Sequence, residues 1–151
     1  MKKYEINNET LAVIGVNKKF TRVVEKEKEY FINDMSYEIM EHSCEYFGST
    51  YEGRIKGSKN MIGFEYKLPI IVEESNNLIF FPLTDKENPK CTWISLKWFD
   101  RVEKEKGITY IYLKNGKRIP TTVSKYVIEN QVLRSSKLQL KLLERKNLEN
   151  L

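Results

Sequence analysis

His42, Cys44 and Cys91 are the residues of this 151-residue chain best suited to metal or nucleophile chemistry. As zinc ligands they are a weak set, because no C-x-x-C pair brings two thiols together. His42 is the only histidine and lies in an acidic segment beside apolar positions, so a structural role is expected for it. The two isolated thiols read as buried core residues and not as a disulfide framework. Gly48-x-x-x-x-Gly53-Arg54-Ile55 has the glycine spacing of a phosphate-binding loop, but the Lys-Ser/Thr pair that contacts phosphate and magnesium is missing. There is no G-x-S-x-G elbow, and no carboxylate pair stands out as an acid–base couple. No catalytic residue, metal site or cofactor is expected, and the chain does not read as an enzyme.

Anion recognition is the chemistry the residues do support. Four of the seven glycines fall within residues 47–63, interleaved with Tyr51, Arg54, Lys56 and Lys59. The stretch reads as a basic, glycine-rich loop able to approach a phosphate backbone closely. A helix up to Phe47, a turn at Gly48 and a second helix from Thr50 would have a helix-turn-helix outline. Against that outline, Gly53 and Gly57 would each cost the second helix ~1 kcal/mol relative to alanine. Residues 25–45 also carry seven acids against Lys26 and Lys28, a poor surface for DNA. A recognition helix is therefore disfavoured, and glycine loops bearing Arg and Lys are expected to enter a narrow minor groove instead. Further cations follow the Asn115-Gly116 turn, at Lys117 and Arg118. Arg134, Lys137, Lys141 and Arg145, spaced by three, four and four, share one helical face.

The elements that position these residues can be read from apolar periodicity. The chain is 40% hydrophobic and 31% charged, with net charge +5, which suits one soluble domain with a real core. No uncharged run reaches the ~18 residues of a membrane span, and Glu5 and Glu9 interrupt any signal-peptide pattern. The expected location is cytoplasmic. Residues 11–16 and 20–24 read as strands at hairpin distance, with residues 29–32 continuing or pairing beside them. Ser36 begins a short helix that Gly48 stops. Residues 68–72 and 78–81, around Ser75-Asn76-Asn77, are apolar throughout and are expected in the middle of a covered sheet. A strand begins at Cys91 and runs on through Trp98 and Phe99 toward Lys106. Asn115-Gly116 suits a two-residue type I′ hairpin pairing Tyr112 with Ile119 and Tyr110 with Thr121, and Pro120 marks the returning strand as an edge. From Ser124 the pattern is helical, with Ser136-Lys137-Leu138-Gln139 restarting or bending it. The fold class is α+β: a mostly antiparallel sheet, a short helix near 36–47, and a long or broken C-terminal helix near 124–147.

Ser43-Cys44-x-Tyr46-Phe47-Gly48-Ser49-x-Tyr51-x-Gly53-Arg54-x-x-Gly57 resembles the signature of the ComK family of bacterial competence transcription factors. Pro69-Ile70-Ile71-Val72, Asn77-Leu78-Ile79-Phe80-Phe81-Pro82, Cys91-x-Trp93-Ile94-Ser95, Asn115-Gly116-Lys117 and Glu129-Asn130-Gln131-Val132-x-Arg134 extend the similarity in the same order. It covers residues 4–145. The resemblance implies a transcriptional activator of DNA-uptake genes that binds paired AT-rich boxes in double-stranded DNA, chiefly through the minor groove and as a homo-oligomer. Members carry a longer C-terminal tail used by an adaptor that delivers them to a Clp protease. This sequence stops at Leu151, which leaves that adaptor, and any dimer contact of the tail, as open expectations.

The residues expected to contact DNA are Arg54, Lys56 and Lys59, helped by Lys117, Arg118 and the Arg134/Lys137/Lys141 face. A different class of reading stays open: an interaction protein that modulates a full-length relative or an adaptor without productive DNA binding.

Overall fold

Strand-length apolar runs, most of them buried on both faces, build the protein outward from one sheet. The computed structural model describes residues 3–149. In chain order the elements are β1 (Thr10–Gly15), β2 (Thr21–Glu25), β3 (Glu29–Ile32), α1 (Ser36–Tyr46), α2 (Tyr51–Ile62), β4 (Ile70–Glu73), β5 (Leu78–Pro82), β6 (Thr92–Ser95), β7 (Phe99–Glu105), β8 (Ile108–Leu113), β9 (Arg118–Thr121) and α3 (Lys125–Glu149). Six strands form an antiparallel sheet in the order β3-β2-β1-β6-β5-β4, and β7-β8-β9 form a second, smaller one. The fold is α+β, with the long C-terminal helix expected from the sequence.

Successive side chains of the large sheet point to opposite faces. Val13, Val23, Ile70, Val72, Phe80 and Trp93 meet Ile39, Met40 and Cys44 of α1 and Tyr51 of α2. On the other face Ala12, Val24, Phe81 and Ile94 pack against Val102, Ile111, Leu113 and Ile119 of the small sheet and Ile128 of α3. Farther along that face, Ile71 and Ile79 meet Ile62 of α2 and Leu138 and Leu142 of α3. Helix, sheet, and then small sheet with α3 make three layers.

Four local expectations need correction. Residues 70–73 lie at the edge of the sheet, not its middle. They are nonetheless largely buried, because α2 has Tyr51 in one core and Ile62 in the other and so wraps the β4 edge. The chain does not run straight from β6 into β7; it turns at residues 96–98 and changes sheets, with the Trp98 indole N–H donating to the Asn8 carbonyl at 2.8 Å. The β8–β9 hairpin pairs Tyr112 with Arg118 and Ile111 with Ile119, one residue out from the expected register. Its loop is Lys114-Asn115-Gly116, with Gly116 at φ 91° and the Leu113 N–H donating to the Lys117 carbonyl. This three-residue loop puts Ile111, Leu113 and Ile119 inside. The two-residue turn lies instead between β7 and β8, at Lys106 (φ 50°) and Gly107 (φ 82°). Finally, α3 is unbroken at Ser136. The Ser135 hydroxyl donates to the Gln131 carbonyl at 2.7 Å within the helix, and buried Leu138 holds the next turn down.

Candidate nucleic-acid interface

The stretch expected to be a glycine-rich loop is the helix α2. Its tyrosine, isoleucines and serine explain why. Tyr51, Ile55, Ser58 and Ile62 fall at helical spacing on one stripe, and Tyr51, Ser58 and Ile62 are buried. Both ends are capped. The Thr50 side chain accepts a hydrogen bond from the Gly53 N–H at 3.0 Å, and Gly63 at φ 75° donates its N–H to the Lys59 carbonyl at 2.8 Å. A cap contributes ~1 kcal/mol and a buried isoleucine ~1.5–3, which together outweigh two glycines at ~1 kcal/mol each. Gly48, at φ 86°, closes α1, and residues 47–50 make a tight turn into α2. The Tyr37 and Tyr51 rings meet edge to face at 5.0 Å, and the Lys86 ammonium covers both. The helix–turn–helix outline disfavoured from sequence is therefore present as a backbone arrangement.

Helices α2 and α3 lie side by side and antiparallel. At one end Arg54 of α2 pairs with the Glu74 carboxylate at 3.1 Å, and Lys146 of α3 donates to the Glu74 carbonyl at 3.0 Å. At the other end, just past α2, the Phe64 ring lies under the Arg134 guanidinium at 4.2 Å and the Lys137 ammonium at 5.6 Å. Arg134 also donates to the Tyr66 carbonyl at 3.0 Å. Glu52, Lys56, Lys59 and Asn60 line the outward side of α2 and are exposed. Lys59 pairs with Glu65 at 2.9 Å, and Lys141 reaches Glu144 at 3.7 Å. Lys56 and Lys137 make no ion pair among the described residues. A hollow of about 310 Å³ bounded by Phe64, Asn130, Leu133, Arg134 and Lys137 contains no carboxylate.

Of the expected residues, Arg54, Lys56 and Lys59 lie on α2 and Arg134, Lys137 and Lys141 on α3, and the Phe64 ring brings Arg134 and Lys137 together. The side chain of Arg54 is only 20% exposed and braces α2 to the β4–β5 turn. Lys117 and Arg118 are elsewhere. They follow the β8–β9 turn, where Asn115 donates to the Lys26 carbonyl beside β2, four strands from β4 or about 19 Å. Arg118 stacks on Tyr110 at 4.0 Å and pairs with Glu105 at 2.8 Å. Its pKa is raised, chiefly by the Tyr112 hydroxyl. Phe64, Glu74 and Lys146 escaped the sequence reading. Phe64 directly follows the Gly63 cap, a position that marks a packed helix end, whereas the two contacts at Glu74 depend on tertiary geometry alone.

The candidates for other chemistry are spoken for. His42 lies 3.5 Å from the Glu5 carboxylate. Burial pushes the Cys44 thiol up to about 12 and the Cys91 thiol up to about 11, so neither is a ready nucleophile. No group of three or more His, Cys, Asp or Glu residues is placed to hold a metal among the described residues. Nor is any helix among them long and apolar enough to cross a membrane.

Comparison with known proteins gives one consistent answer. The family model described as ComK protein matches residues 1–147. The competence transcription factor of Bacillus subtilis (strain 168) is 32% identical over 151 residues, covering 96% of this chain and 78% of that protein. No solved structure matches. A match of this length, with the signature turn and helix at Gly48–Gly57 inside it, means that the chain belongs to the ComK family.

Proposed function

We propose that this protein is a DNA-binding transcriptional activator of competence genes, the process named for its B. subtilis relative. The observation that carries the reading is the antiparallel α2/α3 pair, where Arg134 and Lys137 bound a hollow without carboxylates and Lys56, Lys59 and Lys141 are the other cations of the two helices. Phosphates are the anions this spacing fits, since cations one or two helical turns apart match a track of backbone charges.

The preferred sequence is AT-rich, read mainly in the minor groove. An α-helix is ~10 Å or more across and an undeformed minor groove is ~6 Å wide. The helices therefore follow the phosphate walls while lysine and arginine side chains reach inward, as cations do at narrow AT tracts. Lys117 and Arg118, on a thin hairpin, supply a second contact. The active form is a homo-oligomer, consistent with Leu133 and Leu140 exposed one heptad apart on α3.

The test is fluorescence anisotropy with labelled AT-rich and GC-rich duplexes over a range of salt. The parent is expected to favour the AT-rich duplex. Lys56→Gln with Lys137→Gln should weaken binding and lower the salt slope by roughly 2. An unchanged slope sinks the site, and equal affinity for both duplexes sinks the AT preference. A parent that binds neither duplex sinks the reading and leaves an interaction protein in its place.

A further inference from the structure

The groove between the two sheets is a second concave basic surface, remote from Lys56 and Lys59. It is about 660 Å³ and is lined by Lys90, Lys104, Thr109, Thr121, Thr122 and Ser124, among others, with no carboxylate. Grooves of similar size differ in this respect. One of about 720 Å³ carries Glu5 and Glu25, and one of about 480 Å³ carries Asp100, Glu103 and Glu129.

Register explains the arrangement. Lys104 on β7 faces Thr109 on β8, and Thr109 faces Thr121 on β9, so an ammonium and two hydroxyls form one cross-strand row. Gly107 and Ile108, at the β7–β8 turn, complete that wall. The opposite wall is Ile14, Gly15 and Thr92 of the large sheet, with Lys90 just before β6. The groove also receives the start of α3. Ser124 accepts from the Val127 N–H at 3.2 Å, and the first turn of this 25-residue helix has no acid to neutralise its positive end. Lys90 and Lys104 form no ion pair among the described residues. Two free ammonium groups, a hydroxyl row and a helix N-terminus, without an opposing carboxylate, form a set of donors suited to phosphodiester oxygens.

We infer that this groove holds a segment of the phosphodiester backbone of duplex DNA, in addition to the α2/α3 surface. The inference rests on the DNA-binding reading above. Ser124 and Arg134 are ten residues apart on or beside α3, about 15 Å along its axis. A duplex lying along α3 can therefore touch both surfaces. Because the groove offers donors to phosphate and no reader of base edges, it adds affinity without sequence preference.

The test compares Lys90→Gln/Lys104→Gln with a charge-matched control, Lys26→Gln/Lys28→Gln on the β2–β3 turn, by anisotropy on the same two duplexes. The groove variant should bind both duplexes on the order of ten-fold more weakly near 0.1 M salt, with a slope lower by about 1.8 and the AT/GC ratio unchanged. Both altered side chains are exposed, so its melting temperature should match the parent's. A groove variant equal to the parent in affinity and slope overturns the inference while leaving the DNA reading intact. A control that loses as much overturns it too, since net charge would then account for the effect. A parent that binds no duplex removes both readings together.

Discussion

Two glycines show how neighbouring atoms decide the meaning of the same residue type. A Cβ at Gly57 would meet nothing within 4 Å, whereas one at Gly15 would lie 2.3 Å from the Pro89 carbonyl oxygen and 2.7 Å from that of Cys91. Gly57→Ala should thus stabilise α2 by up to ~1 kcal/mol and raise the melting temperature by roughly 2–4 °C. Gly15→Ala should destabilise the fold, because backbone must shift to admit the methyl. Thermal denaturation of the pair checks this, and a lower melting temperature for Gly57→Ala would count against the packing described. The buried thiols make a pH prediction. Folding raises Cys44 to about 12 and Cys91 to about 11 from 9.0, in both cases chiefly by burial. The unfolded chain then loses these protons first as pH rises. Their stability contribution is complete below about pH 9 and is lost progressively toward pH 11–12, by up to ~1.4 kcal/mol per pH unit for each group ionised only when unfolded. Urea midpoints at pH 7.5 and 10 should differ in that direction, and equal midpoints would show that the thiols are not buried as described.

Helix α2 exists because its ends and one stripe outweigh its interior. Thr50→Ala should cost ~1 kcal/mol by removing the cap on the Gly53 N–H. Thr50→Ser should restore most of it, which separates capping from side-chain packing. Far-ultraviolet circular dichroism with urea titration reads both, and an Ala variant as stable as the parent would mean the cap contributes nothing. The β8–β9 hairpin carries a related lesson. Asn115-Gly116 announces a turn in the sequence, but its length was settled by the need to bury Ile111, Leu113 and Ile119 against the large sheet. A two-residue loop would have sent Tyr110 and Tyr112 inward. They lie outside instead, where Arg101 and Arg118 stack on them at 4.1 and 4.0 Å.

The whole molecule depends on α3 to close the third layer, and its leucines divide sharply. Leu138 is fully buried against Ile71 and Ile79, whereas Leu140 is 56% exposed. Leu138→Ala should lose ~2–5 kcal/mol, a large share of the ~5–15 kcal/mol typical of a domain. Leu140→Ala should change the stability of the monomer by no more than ~0.5 kcal/mol. Equal losses in chemical denaturation would mean that α3 packs in a different rotation. Strand positions, the short α1 helix, the C-terminal helix and the family signature were all legible in the sequence, because hydrophobic period, turn residues and local motifs are properties of neighbours along the chain. The edge position of β4, the hairpin register, the helicity of residues 51–62 and the pairing of α2 with α3 were decided by tertiary structure. In each case burial against residues far away in sequence outweighed a local preference, as when Ile62 meeting Leu138 and Leu142 outweighs two glycines in its own helix.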